Sequence, residues 1–150
     1  MPEKETLRRA RRDKRQGKSP STQAGEFVRE EIEHVREGKH GARSTEQAIA
    51  IGLSKARRAG VKLPAPKKGE ASKSTRKQAR RDLAKGRKGT KRASRKRGRA
   101  VERALKKEPH RTGSKKALSR HAKKAASRRS AAQRSASARK AARTRKRRGT

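Results

Sequence analysis

The sequence predicts an all-α protein: a short helical hairpin followed by a long, largely disordered Lys/Arg/Ala-rich tail with capacity for helical segments. Three observations predict this. Apolar residues recur at helical spacing in two consecutive stretches between Ser19 and Val61, each bracketed by cap and stop residues. Only 26% of the 150 residues are hydrophobic and 43% are charged, too little apolar side chain to offset conformational entropy over the whole length. The charge is also unevenly laid: residues 1–66 carry 16 Lys or Arg against 9 acids, and residues 67–150 carry 35 against 4. The expected organisation is a basic N-terminal arm (1–18), an α-hairpin module (19–63), a Pro linker (64–66) and a disordered cationic tail (67–150).

The arm, Glu3 to Gln16, places Glu3 and Glu5 before Arg8 to Arg15, the order that a helix dipole favours. Only Leu7 and Ala10 can bury there, so the arm is expected to be solvated and helical part of the time. The next stretch, QAGEFVREEIEHVREG, carries Ala24, Phe27 or Val28, Ile32 and Val35 on one face and closes at Gly38. Ser19 before Pro20, and Ser21 and Thr22 beyond, compete as its N-cap. It is the most acidic part of the chain, and its acids are expected to balance Arg29 and Arg36 or to offer a face to the basic tail.

The second stretch, Ser44 to Gly60, has the most complete set of signals. Ser44 and Gln47 form an S-x-x-Q capping box; Gly60 suits a left-handed C′ position, Val61 folds back on Ala56, and Pro64 forbids continuation. The two helices, joined by Gly38 to Arg43, form an αα-hairpin whose core packs Phe27, Ile32 and Val35 against Ile49, Leu53 and Ala56, with Gly52 permitting close approach. Beyond Pro64-Ala-Pro66 the tail holds weaker helix signatures: Thr75 to Gly86, Ala100 to Pro109 and Ser114 to Ala125. From Ala125 onward the composition is low in complexity and reads as coil.

A net charge of +38 calls for a polyanion, and nucleic acid has the charge density to meet it. DNA is favoured over RNA. Membrane attachment is disfavoured, because no lipidation signal and no amphipathic helix with large apolar anchors accompanies the basic runs. The absence of cysteine excludes disulfides and the common zinc-finger patterns. With no apolar leader and no apolar run of bilayer length, the chain is expected in the cytoplasm, at the nucleoid.

The residues expected on phosphate fall in clusters. Lys39 and Arg43 flank the hairpin loop, where two glycines and a helix N-terminus converge; Lys55, Arg57, Arg58 and Lys62 sit around the end of the second helix. In the tail the clusters are Arg95, Lys96, Arg97 and Arg99; Lys123, Lys124, Arg128 and Arg129; and Arg145, Lys146, Arg147 and Arg148. No nucleophile–base pairing, phosphate-cradling P-loop or dinucleotide motif is present, so neither an enzyme nor a small-molecule substrate or cofactor is expected. His34, His40, His110 and His121 are scattered without metal-ligand spacing, and no metal is expected.

The element KHGARSTEQAIAIGLSKARRAG resembles one found in small basic bacterial proteins that contain an uncharacterised domain, over about residues 20–66. The resemblance implies no activity. The tail, rich in KKA, AAS and SARKAAR, is similar in composition to bacterial linker-histone-like proteins, which implies non-specific DNA compaction. Two other readings remain at this point. One is an RNA- or ribosome-binding basic protein, against which stands the scarcity of aromatic stacking platforms, Phe27 being the lone aromatic. The other is a protein-interaction or self-associating hairpin with a localising basic tail.

Overall fold

A computed structural model describes residues 1–89 and 94–149; residues 90–93 and 150, which fall in the expected tail, lie outside the described residues. The elements are α1 (Lys4–Arg15), α2 (Pro20–Arg36), α3 (Thr45–Arg58), α4 (Lys73–Lys88), α5 (Arg95–Lys106), a 3-10 turn (Arg111–Gly113), α6 (Lys115–Ser127) and α7 (Ala131–Arg148). The all-α class is therefore correct. The chain divides into two compact units, Met1–Ser114 and Lys115–Thr150.

The α2–α3 hairpin is the centre of the first unit, and its ends are set by side chains. Ser19 caps α2 by accepting from the Thr22 amide, with Pro20 at the first helical position, which settles the competition among caps. Ser44 accepts from the Gln47 amide at 3.1 Å, but Gln47 Oε1 returns to the amide of Arg43 at 2.6 Å, not to that of Ser44. At the far end Gly60 has φ +92°, its amide donates to Arg57 O, and Val61 N reaches Ala56 O, a Schellman pattern that buries Val61.

Phe27, Ile32, Val35 and Ala56 are buried as expected, whereas Ile49 and Leu53 are half-buried. The line of α3 that meets α2 is instead Thr45, Ala48, Gly52 and Ala56. The reason is helix spacing: a Cβ on Gly52 would lie 2.6 Å from Val28 Cα, so the backbones nearly touch there and bulky residues are displaced to the flanks. Leu53 still packs against the cluster of Ala10, Ala24, Phe27, Ala56 and Val61.

The basic arm is an ordered helix docked on α2. Ala10 is buried and Leu7 packs on the same cluster; Arg9 Nε meets Glu26 Oε2 at 2.7 Å, and the Glu3 amide donates to Glu30 Oε2 at 3.1 Å. Asp13, the single acid in a basic run, is buried and paired with Lys18 at 2.5 Å.

The expectation of a long disordered tail is overturned, because most of the described residues of 67–149 fall in the four helices α4 to α7, joined by short turns. The missing apolar side chains are replaced by small residues, polar anchors and capped helix starts. In α4, Ala79 and Asp82 are buried, and Asp82 accepts from Ser54 Oγ of α3 at 2.6 Å and from Gln78 Nε2 at 3.1 Å, with Arg58 Nε 3.5 Å away. Replacing Asp82 with Ala is expected to cost about 1–3 kcal/mol, because Ser54 and Arg58 lose a buried acceptor. Hydrogen exchange confined to faster α4 amides is the readout.

The end of α5 and the segment after it dock on the hairpin loop through their main-chain carbonyls. The Gly41 amide donates to Leu105 O at 2.8 Å and that of Ala42 to Pro109 O at 3.1 Å, while Thr45 Oγ1 donates to Thr112 O at 2.8 Å. A Cβ at Gly41 would fall 1.8 Å from Glu108 O, so no other residue fits that contact. In the second unit Ser130 and Gln133 form a reciprocal capping box at the start of α7, and Arg134 Nη1 donates to Arg129 O at 2.7 Å across the α6–α7 turn.

Candidate nucleic-acid interface

Helix packing divides the expected phosphate ligands of the first unit into two groups. Lys55 and Arg57 are corrections, since their charges are turned inward. Lys55 Nζ is hydrogen-bonded to Glu31 Oε1 and lies 3.6 Å from Glu30 Oε1, both acids being buried. Arg57 is 7% exposed; its guanidinium donates to Leu63 O and Pro64 O, each at 3.2 Å, and so holds the chain after Gly60. Burial lowers its pKa from the ordinary value, an effect that the nearby Asp82 charge partly opposes. Lys55 sits three residues beyond Gly52, at the edge of the buried line of α3, whereas Arg57 lies on another side of the helix, under the chain that returns after Gly60.

Arg58 is half-exposed and shared with Ser54 and Asp82. Lys39 is exposed between Glu37 at 3.0 Å and Glu3 at 3.3 Å; the hydrogen bond to Glu37 is the main reason that its pKa is raised. Glu3 in turn is held below the usual carboxylate range by hydrogen bonds from His34 and Lys39. Arg43 and Lys62 are exposed. On α5, Arg95, Lys96, Arg97 and Arg99 are all exposed and the helix buries no residue.

The second unit is of another kind. From Lys115 to Arg148 the sequence has 15 Lys or Arg and no acid. Neither α6 nor α7 buries a residue, and Lys123, Lys124, Arg128, Arg129 and the Arg145–Arg148 run are exposed. Sequence analysis missed one feature here: Arg139, Arg143 and Arg147 follow one another at i, i+4 along α7, with Lys140 and Thr144 beside them lining the same open concavity. The four-residue spacing was the available signal, hidden by the reading of that stretch as coil.

Sequence analysis also missed a convergence around α2. His34 and His40 stand edge to face with ring centroids 5.7 Å apart, and Glu31 lies between them and Lys55. One ligand atom from each of Glu31, His34 and His40 falls within 4.8 Å of the others. Glu31 and His34 are i, i+3 on a helix, which is readable; His40 arrives only because the loop turns back at Gly38, which is not.

Residues 11–69 match a family of unknown function (DUF6496). The match supports an uncharacterised domain, expected over about residues 20–66, and takes in the C-terminal end of α1, all of α2 and α3, and the Pro64–Pro66 segment. No curated protein and no solved structure matches the chain. Among the described residues, no helix is long and apolar enough to cross a membrane.

Proposed function

We propose that this protein binds and compacts DNA at the nucleoid without regard to sequence, by neutralising phosphates. The observation that carries this reading is the second unit: 15 cations, no acid and no buried residue from Lys115 to Arg148. A helix cannot bury such charge and its repulsion is unrelieved until a polyanion arrives, so its free energy falls most on a phosphate backbone. Exposed Arg95 to Arg99 on α5, with Arg43 and Lys62, add to the footprint. The compositional likeness of the tail to bacterial linker-histone-like proteins agrees with it. Lys55 and Arg57 have no part in it.

Phosphate contact alone makes affinity a steep function of salt. Engagement of roughly ten phosphates gives a log–log slope near −9, and a loss of about 10³- to 10⁵-fold between 50 and 200 mM salt. Fluorescence anisotropy with random-sequence duplexes tests this, and a flat response overturns it. Duplex DNA and duplex RNA competitors distinguish the polymer: preference for the RNA would replace the DNA reading with the ribosomal one.

A further inference from the structure

We propose that Glu31, His34 and His40 form a binding site for a divalent cation of the zinc class. The argument starts from which ring nitrogens carry protons. His34 Nε2 lies 2.9 Å from Glu3 Oε1, and His40 Nδ1 lies 3.0 Å from Gly41 O. A carboxylate and a carbonyl only accept, so both of those nitrogens donate. In a neutral ring this leaves His34 Nδ1 and His40 Nε2 as bare lone pairs. Both are aimed at the same carboxylate: His34 Nδ1 is 4.0 Å from Glu31 Oε1, and His40 Nε2 is 3.4 Å from Glu31 Oε2.

Glu31 is fully buried, and its Oε2 makes no hydrogen bond. The His40 Nε2 lone pair facing this buried, unpartnered oxygen repels it unless a positive charge sits between them, and His34 Nδ1 stands beside the same carboxylate. Lys55 is bound at the other oxygen, Oε1, and so leaves Oε2 to a metal as a one-oxygen ligand. The outer hydrogen bonds to Glu3 and Gly41 are of the kind that fixes ring orientation and raises ligand basicity at metal sites. Two imidazoles and one carboxylate suit Zn²⁺, with a water completing four-coordination. Such an ion ties α2 to the loop after it and, through Glu3, to the start of α1.

Titration of the full chain with Zn²⁺ alone, followed calorimetrically, is expected to show one saturable equivalent. Co²⁺ is expected to give the visible absorption of a low-coordinate N/O site. His40→Ala and Glu31→Gln are expected to weaken binding at least tenfold, while His121→Ala, in the second unit, leaves it unchanged. Because Glu31→Gln can unfold the hairpin, the wild-type chain carries a second readout: ¹⁵N shifts of His34 Nδ1 and His40 Nε2 that move on adding Zn²⁺. The proposal is overturned if no saturable equivalent binds, if His121→Ala abolishes binding and His40→Ala does not, or if those two nitrogens are protonated and indifferent to zinc.

Discussion

A chain ending at Ser114 is expected to bind random-sequence duplex DNA at least a hundredfold more weakly than the full chain at physiological salt, with a visibly shallower salt slope. Deletion of Lys115–Thr150 removes 15 of the 51 cations and not one acid. Their weight exceeds their number because the cations that remain cover a folded unit, of which one side at a time can face a duplex, and Lys55 and Arg57 are already committed to internal acceptors. Each phosphate no longer neutralised takes about 0.9 from the slope, so five or six lost contacts roughly halve it. Anisotropy titrations of both chains between 50 and 300 mM salt decide the point. Equal slopes would move the phosphate-binding surface to the first unit.

Lys55→Met is expected to be the most damaging single change to the hairpin, at about 3–5 kcal/mol, or roughly 10–25 °C in Tm. Lys55 is the cation between two buried carboxylates, those of Glu30 and Glu31. Its removal leaves both buried carboxylates without their ammonium partner. Adding Glu30→Gln should recover part of the loss, a non-additivity that a double-mutant cycle measures. Lys62→Met, at an exposed position one turn beyond the helix, should change Tm by no more than a degree or two. Thermal unfolding followed by circular dichroism gives all four values, and an unshifted Lys55→Met would mean that the acids are neutralised some other way.

What could be read from the residues follows the range of the interactions concerned. The caps and stops of α2 and α3 were legible because Ser19, Pro20, Ser44, Gly38 and Gly60 act on their own neighbourhood. The burial of Phe27, Ile32 and Val35 was legible because bulky apolar residues at helical spacing leave water, although Phe27 joins the core cluster and Val35 packs at Gly113 instead. The contribution of Ile49 and Leu53 was overestimated, since hydrophobicity ranks side chains by size and the α2–α3 contact at Gly52 selects for smallness. The docking of α4 and of residues 105–113 was invisible for a related reason: Asp82 and Gly41 make those contacts, and neither contributes to an apolar period. A lone acid in a basic run, as at Asp13 and Asp82, is the signal to look for. Lys55 and Arg57 were placed on phosphate because charge at a helix end has two uses, and the sequence does not say which neighbour is near.

The direction in which acids face has a consequence for how adhesion and folding are linked. Asp13, Glu30, Glu31 and Asp82 are buried among the described residues, against Arg57 alone on the positive side. Folding thus sorts the charge, drawing negative groups in and leaving the outer skin more positive than composition alone implies. Partial unfolding would return those carboxylates to the surface and dilute the field that a duplex meets. A variant that loosens the hairpin should therefore hold DNA less well even when every one of its lysines and arginines is intact.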